Sequence, residues 1–262
     1  MARSTFYYWL KVLQNRDKYL EEKDMIRYIF TKNKGIYGYR RITVELCKFC
    51  YTLNSETVRR LMQELGLKSN VRIKKYKSYR GGDEFKTVPN LLNREFNASK
   101  PNEKWVTDIT EFKLFGKKLY LSPILDLFNG EIISYGISRS PVFDLVLETV
   151  KKALEKKNEE DNLLLHSDQG WHYRMENYHE LLKKNNIIQS MSRKGNCLDN
   201  AVIENFFGHL KSELFYLQKF NSMEHFIGEL EKYIDYWNNR RIKVKLNGLS
   251  PVQYRTQFQL CA

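Results

Sequence analysis

An acid placed at the end of a buried strand constrains this chain more than any other feature. The run Leu163-Leu164-Leu165-His166-Ser167-Asp168 reads as a buried strand, and Gly170 just beyond it lets the chain turn sharply, which leaves Asp168 exposed at the strand's carboxyl end. After it the pattern predicts a helix near Tyr173 to Lys184 and a strand from Ile187 to Met191. The polar loop Arg193 to Leu198 then leads into a helix capped by Asp199 or Asn200. Glu204 falls in the early turns of that helix. Ile203, Phe207, Leu210 and Leu214 form its apolar stripe, while Glu204, Gly208 and Lys211 share an adjacent face at spacings of four and three.

Two acids that are to hold divalent cations need a third. Upstream, Asp108 interrupts the strand pattern Trp105-Val106-Thr107-Asp108-Ile109-Thr110. A desolvated carboxylate costs several kcal/mol unless it is hydrogen-bonded or bound to a cation, so an acid there points to a site. Either aspartate alone reads equally well as a surface or turn acid; with the third acid that reading weakens. Asp126, Glu111 and Asp199 are the rival acids, Asp126 better placed to brace a hairpin and Asp199 to cap a helix. His166-Ser167-Asp168 does not make a serine triad, because adjacent strand residues point to opposite faces. His166 shares Asp168's face, to hydrogen-bond near the site or to pack.

Around these acids the periodicity predicts an α/β arrangement. Strands are expected over Lys104 to Phe112, Lys118 to Leu127 and Glu131 to Ser138, with Asn129-Gly130 as the tight turn between the last two. A helix over Val142 to Lys156 follows, so the whole makes a mixed sheet of five strands flanked by helices. Met223 to Trp237 is a long helix near the end, whose Tyr233, Tyr236 and Trp237 pack against the core.

The charge is unevenly divided. Residues 1 to 80 hold 19 Lys and Arg against 7 Asp and Glu, and the other 182 hold 25 against 24, so almost the whole net charge of +13 lies in the first part. Such a part suits a polyanion. Within it, Asp17 to Lys32 is a charged helix, and Tyr37 to Phe49 with Asn54 to Leu65 reads as two helices joined by a short turn. Asn54 suits an N-cap and Gly66 a stop. The second helix of such a helix-turn-helix offers Arg59 and Arg60 to DNA. Lys68, Arg72, Lys74, Lys75, Lys77 and Arg80 then appear with no acid among them, in a run suited to tracking phosphates. The expected domains are therefore a basic helical region over 1–80, a linker over 81–95, and a catalytic core with a helical tail over 96–262. Cys47-Lys48-Phe49-Cys50 lacks the histidines of a zinc site and reads as a helix whose thiols pack inward. No apolar run approaches a membrane span and no signal peptide is visible, so the expectation is a cytoplasmic protein, associated with the nucleoid when bound to DNA.

Thirty-five residues separate Asp168 from Glu204, and Lys211 follows Glu204 by seven. In this the chain resembles the retroviral integrase superfamily. More closely it resembles the second-frame proteins of the IS-three family of insertion-sequence transposases. The resemblance is carried by Ile36-Tyr37-Gly38-Tyr39-Arg40-Arg41-Ile42, Val58 to Met62 through Gly66-Leu67, Trp105 to Thr110 and His166 to Gly170. It continues in Asp199-Asn200-Ala201 with Glu204 to Phe207, and in Leu249-Ser250-Pro251. It implies a ribonuclease H-like core and catalysis by Asp108, Asp168 and Glu204 with two Mg²⁺ ions, for which Mn²⁺ substitutes. It also implies Lys211 on the terminal DNA and action on double-stranded DNA, both the element's terminal repeats and the target. A homo-oligomer on DNA and a first-frame protein of the same element, fused or in complex, are the implied partners. The activity implied is cleavage and strand transfer; the alternatives are a metal-dependent nuclease without strand transfer and a DNA-binding regulator that has lost activity.

Overall fold

The computed structural model describes residues 2–7, 17–70, 88–157 and 162–261. Its contacts divide the chain into two compact units, residues 1–71 and 72–262.

Among the described residues of the first unit, three helices pack together, α1 (Leu20–Lys32), α2 (Tyr39–Lys48) and α3 (Ser55–Glu64). Ile26 and Ile29, Ile42 and Leu46, and Val58, Leu61 and Met62 are buried, at the spacings of three and four that place side chains on one helix face. Asn54 caps α3, its side chain accepting the Glu56 N–H at 2.9 Å. Gly66 follows α3 with φ +66°, a conformation glycine adopts without penalty. The cysteines differ from expectation: Cys47 and Cys50 are exposed. Helix α2 ends at Lys48, so Cys50 lies past its end in a left-handed turn (φ 64°) and turns outward.

The second unit holds one mixed sheet of six strands: β1 (Lys104–Thr107), β2 (Thr110–Leu114), β3 (Lys117–Asp126), β4 (Ile132–Ser138), β5 (Leu164–Ser167) and β6 (Ile188–Met191). The sixth strand, against five expected, arises because the predicted first strand is interrupted. β1 and β2 keep one register against β3, with Trp105 opposite Asp126, Thr107 opposite Ile124, Thr110 opposite Leu121 and Leu114 opposite Lys117. The break falls at Asp108 and Ile109, where the Asp108 carboxylate takes the Ile109 N–H at 2.7 Å. β3 and β4 run antiparallel on one side of this interrupted strand, while β5 and β6 run parallel to β1 on the other. Phe115 and Gly116, both at positive φ, make the two-residue β2–β3 turn. The β3–β4 turn contains Gly130 at φ +73° and is braced by buried Asp126, which accepts the Asn102 and Phe128 N–H groups at 2.9 Å each.

Alternation along the strands divides the core in two. Val106, Phe112, Leu121 and Leu125 face the helices α6 (Ala201–Leu210) and α7 (Met223–Asn239), which supply Ile203, Phe206, Leu210, Phe226, Leu230 and Trp237. Trp105, Ile124, Leu165 and Met191 face the opposite way, toward Val146, Val150 and Ala153 of α4 (Phe143–Leu154) and Tyr178 and Leu182 of α5 (Glu176–Lys184). Between α6 and α7 the backbone widens into a π-helical turn, Lys211–Phe215. It is tied down from within: Glu213 accepts from Arg241 at 2.6 and 2.9 Å and from the Tyr233 hydroxyl at 2.8 Å, all three groups buried. The tail aromatics pack as expected, Trp237 donating to the Gly130 carbonyl at 2.9 Å. Helix α8 (Pro251–Cys261) closes the chain, its Arg255 paired with Glu131 at 2.7 Å.

Candidate active site

Three elements deliver the three acids. Asp108 sits in the break between β1 and β2, Asp168 one residue past β5, and Glu204 in the first turn of α6. β1 and β5 are adjacent and parallel, with Val106 opposite His166, so each aspartate follows its own strand's paired residue by two positions. Asp108 therefore emerges beside Asp168.

The electrostatics join the set. Burial raises the Asp108 carboxyl far above the usual carboxylate range, and the negative charges of Asp168 and Glu204 raise it further. The Ile109 N–H and the positive charge of Lys211 oppose that shift. Burial likewise raises Asp168, against the Gly170 N–H, which donates to its Oδ1 at 2.9 Å, and the nearby His172 and Arg174. A Cβ at Gly170 would lie 2.9 Å from that same Oδ1, so a larger residue there would have to displace the Asp168 carboxylate. Fully buried Tyr173 lies in the field of both aspartates; its phenol is raised first by burial and then by Asp108 and Asp168.

Each remaining candidate has a definite place. Lys211 opens the π turn, with Nζ 5.5 Å from the centre of the Phe112 ring and its charge acting on Asp108. A Cβ at Gly208, between Glu204 and Lys211, would meet nothing within 4 Å. Glu111 lies away from the set, accepting from Tyr120 at 2.9 Å and paired with Lys118 at 3.0 Å. His166 is a packing residue. Ser190 Oγ already accepts the Leu91 and Leu92 N–H groups, at 2.9 and 3.1 Å, so its own proton goes to His166 Nδ1 at 2.8 Å. Nε2 then carries the ring proton toward Ser192 Oγ at 3.1 Å. The ring is thus held neutral, in keeping with a pKa pushed down to about 4, first by burial.

Asp199 does not cap a helix. It is 0 % exposed and accepts five hydrogen bonds: from Arg193 N, Nε and a terminal nitrogen (3.0, 2.9 and 2.8 Å), from Arg94 Nε (2.8 Å) and from Asn90 Nδ2 (2.9 Å). The Arg193 contacts, then Arg94, hold its carboxyl well below the usual range despite burial. Asn200, at the helix start, makes no cap bond either; its Nδ2 reaches the Thr107 carbonyl at 3.3 Å. Arg193 is only six residues upstream, but Arg94, Asn90 and Thr107 lie about a hundred residues away along the chain, where no local pattern points to them. Residues 88–95 of the expected connector are pinned to the second unit by these bonds, by Ser190 and by buried Leu92.

In the first unit, Arg59 pairs with Glu56 on α3, with Nε 2.9 Å from Oε1. Arg60 lies 3.7 Å from Glu64 and over the Tyr19 ring. Arg72, Lys74, Lys75 and Lys77 lie outside the described residues. Among the described residues no three His, Cys, Asp or Glu side chains are grouped to hold one metal ion in common. The donor chemistry around Asp108 is nevertheless that of a hard cation, three carboxylates of which Asp168 and Glu204 both act on Asp108. No described helix is long and apolar enough to cross a membrane.

Comparison with known proteins gives a concordant picture. Residues 98–197 match a family described as integrase core domain, residues 204–258 match a second family of the same description, and residues 14–75 match an HTH-like domain. The chain is 52% identical over 257 residues to a transposase named InsK, for insertion sequence element IS150 of Escherichia coli K12, covering 98% of this chain and 90% of that one. To the transposase InsF for insertion sequence IS3A of the same organism it is 33% identical over 264 residues, covering 98% and 91%. Among solved structures it is similar to the HTLV-2 integrase catalytic core domain in complex with magnesium, with 17% identity, a TM-score of 0.48, and coverage of 60% of this chain and 98% of that one.

Proposed function

This chain belongs to the insertion-sequence transposases with an integrase core, and from that membership we propose that Asp108, Asp168 and Glu204 catalyse the cleavage and joining of DNA at the ends of its element. The observation that carries the assignment is the shared field of the three acids, in which a half-buried Asp108 is raised by both of the others. Like charges gathered out of full contact with water are costly to keep, and a set of them, two at the ends of adjacent strands and one on a helix, is explained by a cation that offsets them.

Asp108, Asp168 and Glu204 would hold two Mg²⁺ ions, which when bound would supply Lewis acidity toward an attacking and a leaving oxygen at phosphorus. The chain's own residues set the stage for that chemistry. The Ile109 and Gly170 N–H groups each fix one carboxylate oxygen of Asp108 and Asp168 and leave the other for ligation. Lys211 brings positive charge to the Asp108 side, where a DNA phosphate arrives, and Gly208 leaves room for the strand beside the Glu204 helix. The basic region over 1–80 binds the duplex through phosphates, with 81–95 linking it to the core over 96–262. The partners that follow are element-end and target DNA, further copies of the chain on that DNA, and the first-frame protein of the element.

The test is incubation with a labelled element end and Mg²⁺. Joined product supports the reading; cut but never joined product favours a nuclease of the same fold, and binding without cutting favours a regulator.

A further inference from the structure

Asn200 holds a position that stability does not explain. It is 3 % exposed and closes the short turn Cys197–Asn200, one helical turn before Glu204. Its Nδ2 donates to the carbonyl of Thr107, the last residue of β1 and the direct neighbour of Asp108. A carbonyl only accepts, so the amide's orientation is fixed and Oδ1 is the atom left without a partner. A buried acceptor without a donor costs folding free energy, and an apolar side chain of similar size avoids that cost. The flanking residue works in the same direction: Asp199 locks the approach loop through Arg193, Arg94 and Asn90, so the turn that starts α6 is held from outside by Asp199 and from inside by Asn200.

We propose that Asn200 is a positioning residue whose amide sets the Glu204 helix against the strand end bearing Asp108, and so governs the affinity of the acidic site for divalent cations. The inference rests on the reading of the three acids as that site. It makes Asn200 a link between backbones, not a ligand.

The experiment measures Mn²⁺ binding to the full chain by the loss of the free-ion electron paramagnetic resonance signal, for wild type, Asn200→Ala, Asn200→Leu and Asp168→Asn. The Leu variant keeps the number and branching of the side chain's heavy atoms and removes both the donor and the orphaned acceptor. Mn²⁺ affinity is expected to fall about tenfold or more in both Asn200 variants, as for residues that orient metal ligands, while their unfolding temperatures stay at or above that of wild type. The joining rate at saturating DNA falls with it, and the affinity for element-end DNA does not change. Wild-type Mn²⁺ affinity in either folded variant overturns the proposal, as does loss of folding in both, which makes Asn200 a stability residue. If wild type binds Mn²⁺ no better than Asp168→Asn, the reading of the acids fails and this inference with it; if Asp168→Asn loses binding and the Asn200 variants do not, this inference alone fails.

Discussion

The acids of the first unit and those of the candidate site in the second are held in opposite ways. In the first, acids sit at the surface beside cations: Asp17 and Glu64 both reach Lys23, at 2.6 and 2.8 Å, Glu56 holds Arg59, and Glu45 holds Lys48 at 2.7 Å. Asp17 is lowered, chiefly by the Lys23 hydrogen bond. In the second, Asp108 and Asp168 are raised by burial, and Asp108 further by other acids. Asp199 shows that the second unit can also bury an acid comfortably, given five donors. Burial by itself therefore does not mark the site, since Asp126 too is raised, first by burial and also by Glu131, while bracing a turn; Asp108 stands apart in being raised by two further acids, Asp168 and Glu204.

If the raised acids await a cation, removing divalent ions with a chelator abolishes joining. Mg²⁺ or Mn²⁺ restores it and Ca²⁺ does not, because a larger ion with looser geometry misplaces the reacting oxygens. Full activity in chelator breaks the comparison at its root.

Next in size is Asp199→Ala, which strips the acceptor from a buried network and costs about 3 kcal/mol in urea denaturation. Because the folded state holds this carboxyl below its unfolded value, the stabilisation is complete above the ordinary carboxylate range. It disappears as the pH falls through and below that range, so wild type and Asp199→Asn converge in acid. A constant gap down to the lowest pH contradicts the assignment of the network.

The opposite sign is expected at the site. Asp108→Asn removes a repelled, half-buried charge and raises stability by about 1 kcal/mol, or about 2–4 °C in Tm, in metal-free buffer. A fall in Tm places Asp108 with Asp199 among structural acids. Smallest is Glu56→Gln in the first unit, where an exposed helix pair contributes less than about 0.5 kcal/mol and the difference shrinks as salt is added. A loss of more than twice that value blurs the distinction between the units.

Legibility followed the range of the interactions. The strand before Asp168, the helix of Glu204 and the cap at Asn54 rest on residues within a turn or a strand of each other, and each was readable from periodicity or capping chemistry. Asp108 was readable as an acid that breaks a strand, although the break also divides one strand into two. Asp199 reads as a cap from its place before the helix; its first ion partner, Arg193, is only six residues upstream in the loop, while Arg94 and Asn90 lie more than a hundred residues upstream, where only the fold brings them together. Cys50 was misplaced by a helix end: two residues decide whether it packs inward or lies in a left-handed turn. Asn200's bond to the Thr107 carbonyl is of the same long-range kind as Asp199's.

The central claim, that Asp108, Asp168 and Glu204 act as one site, is tested most directly by single-turnover joining of a labelled element end with Asp108→Asn, Asp168→Asn and Glu204→Gln side by side. The account predicts that each variant binds the DNA end as wild type does and that none yields joined product. Joining near the wild-type rate by any one of the three contradicts it.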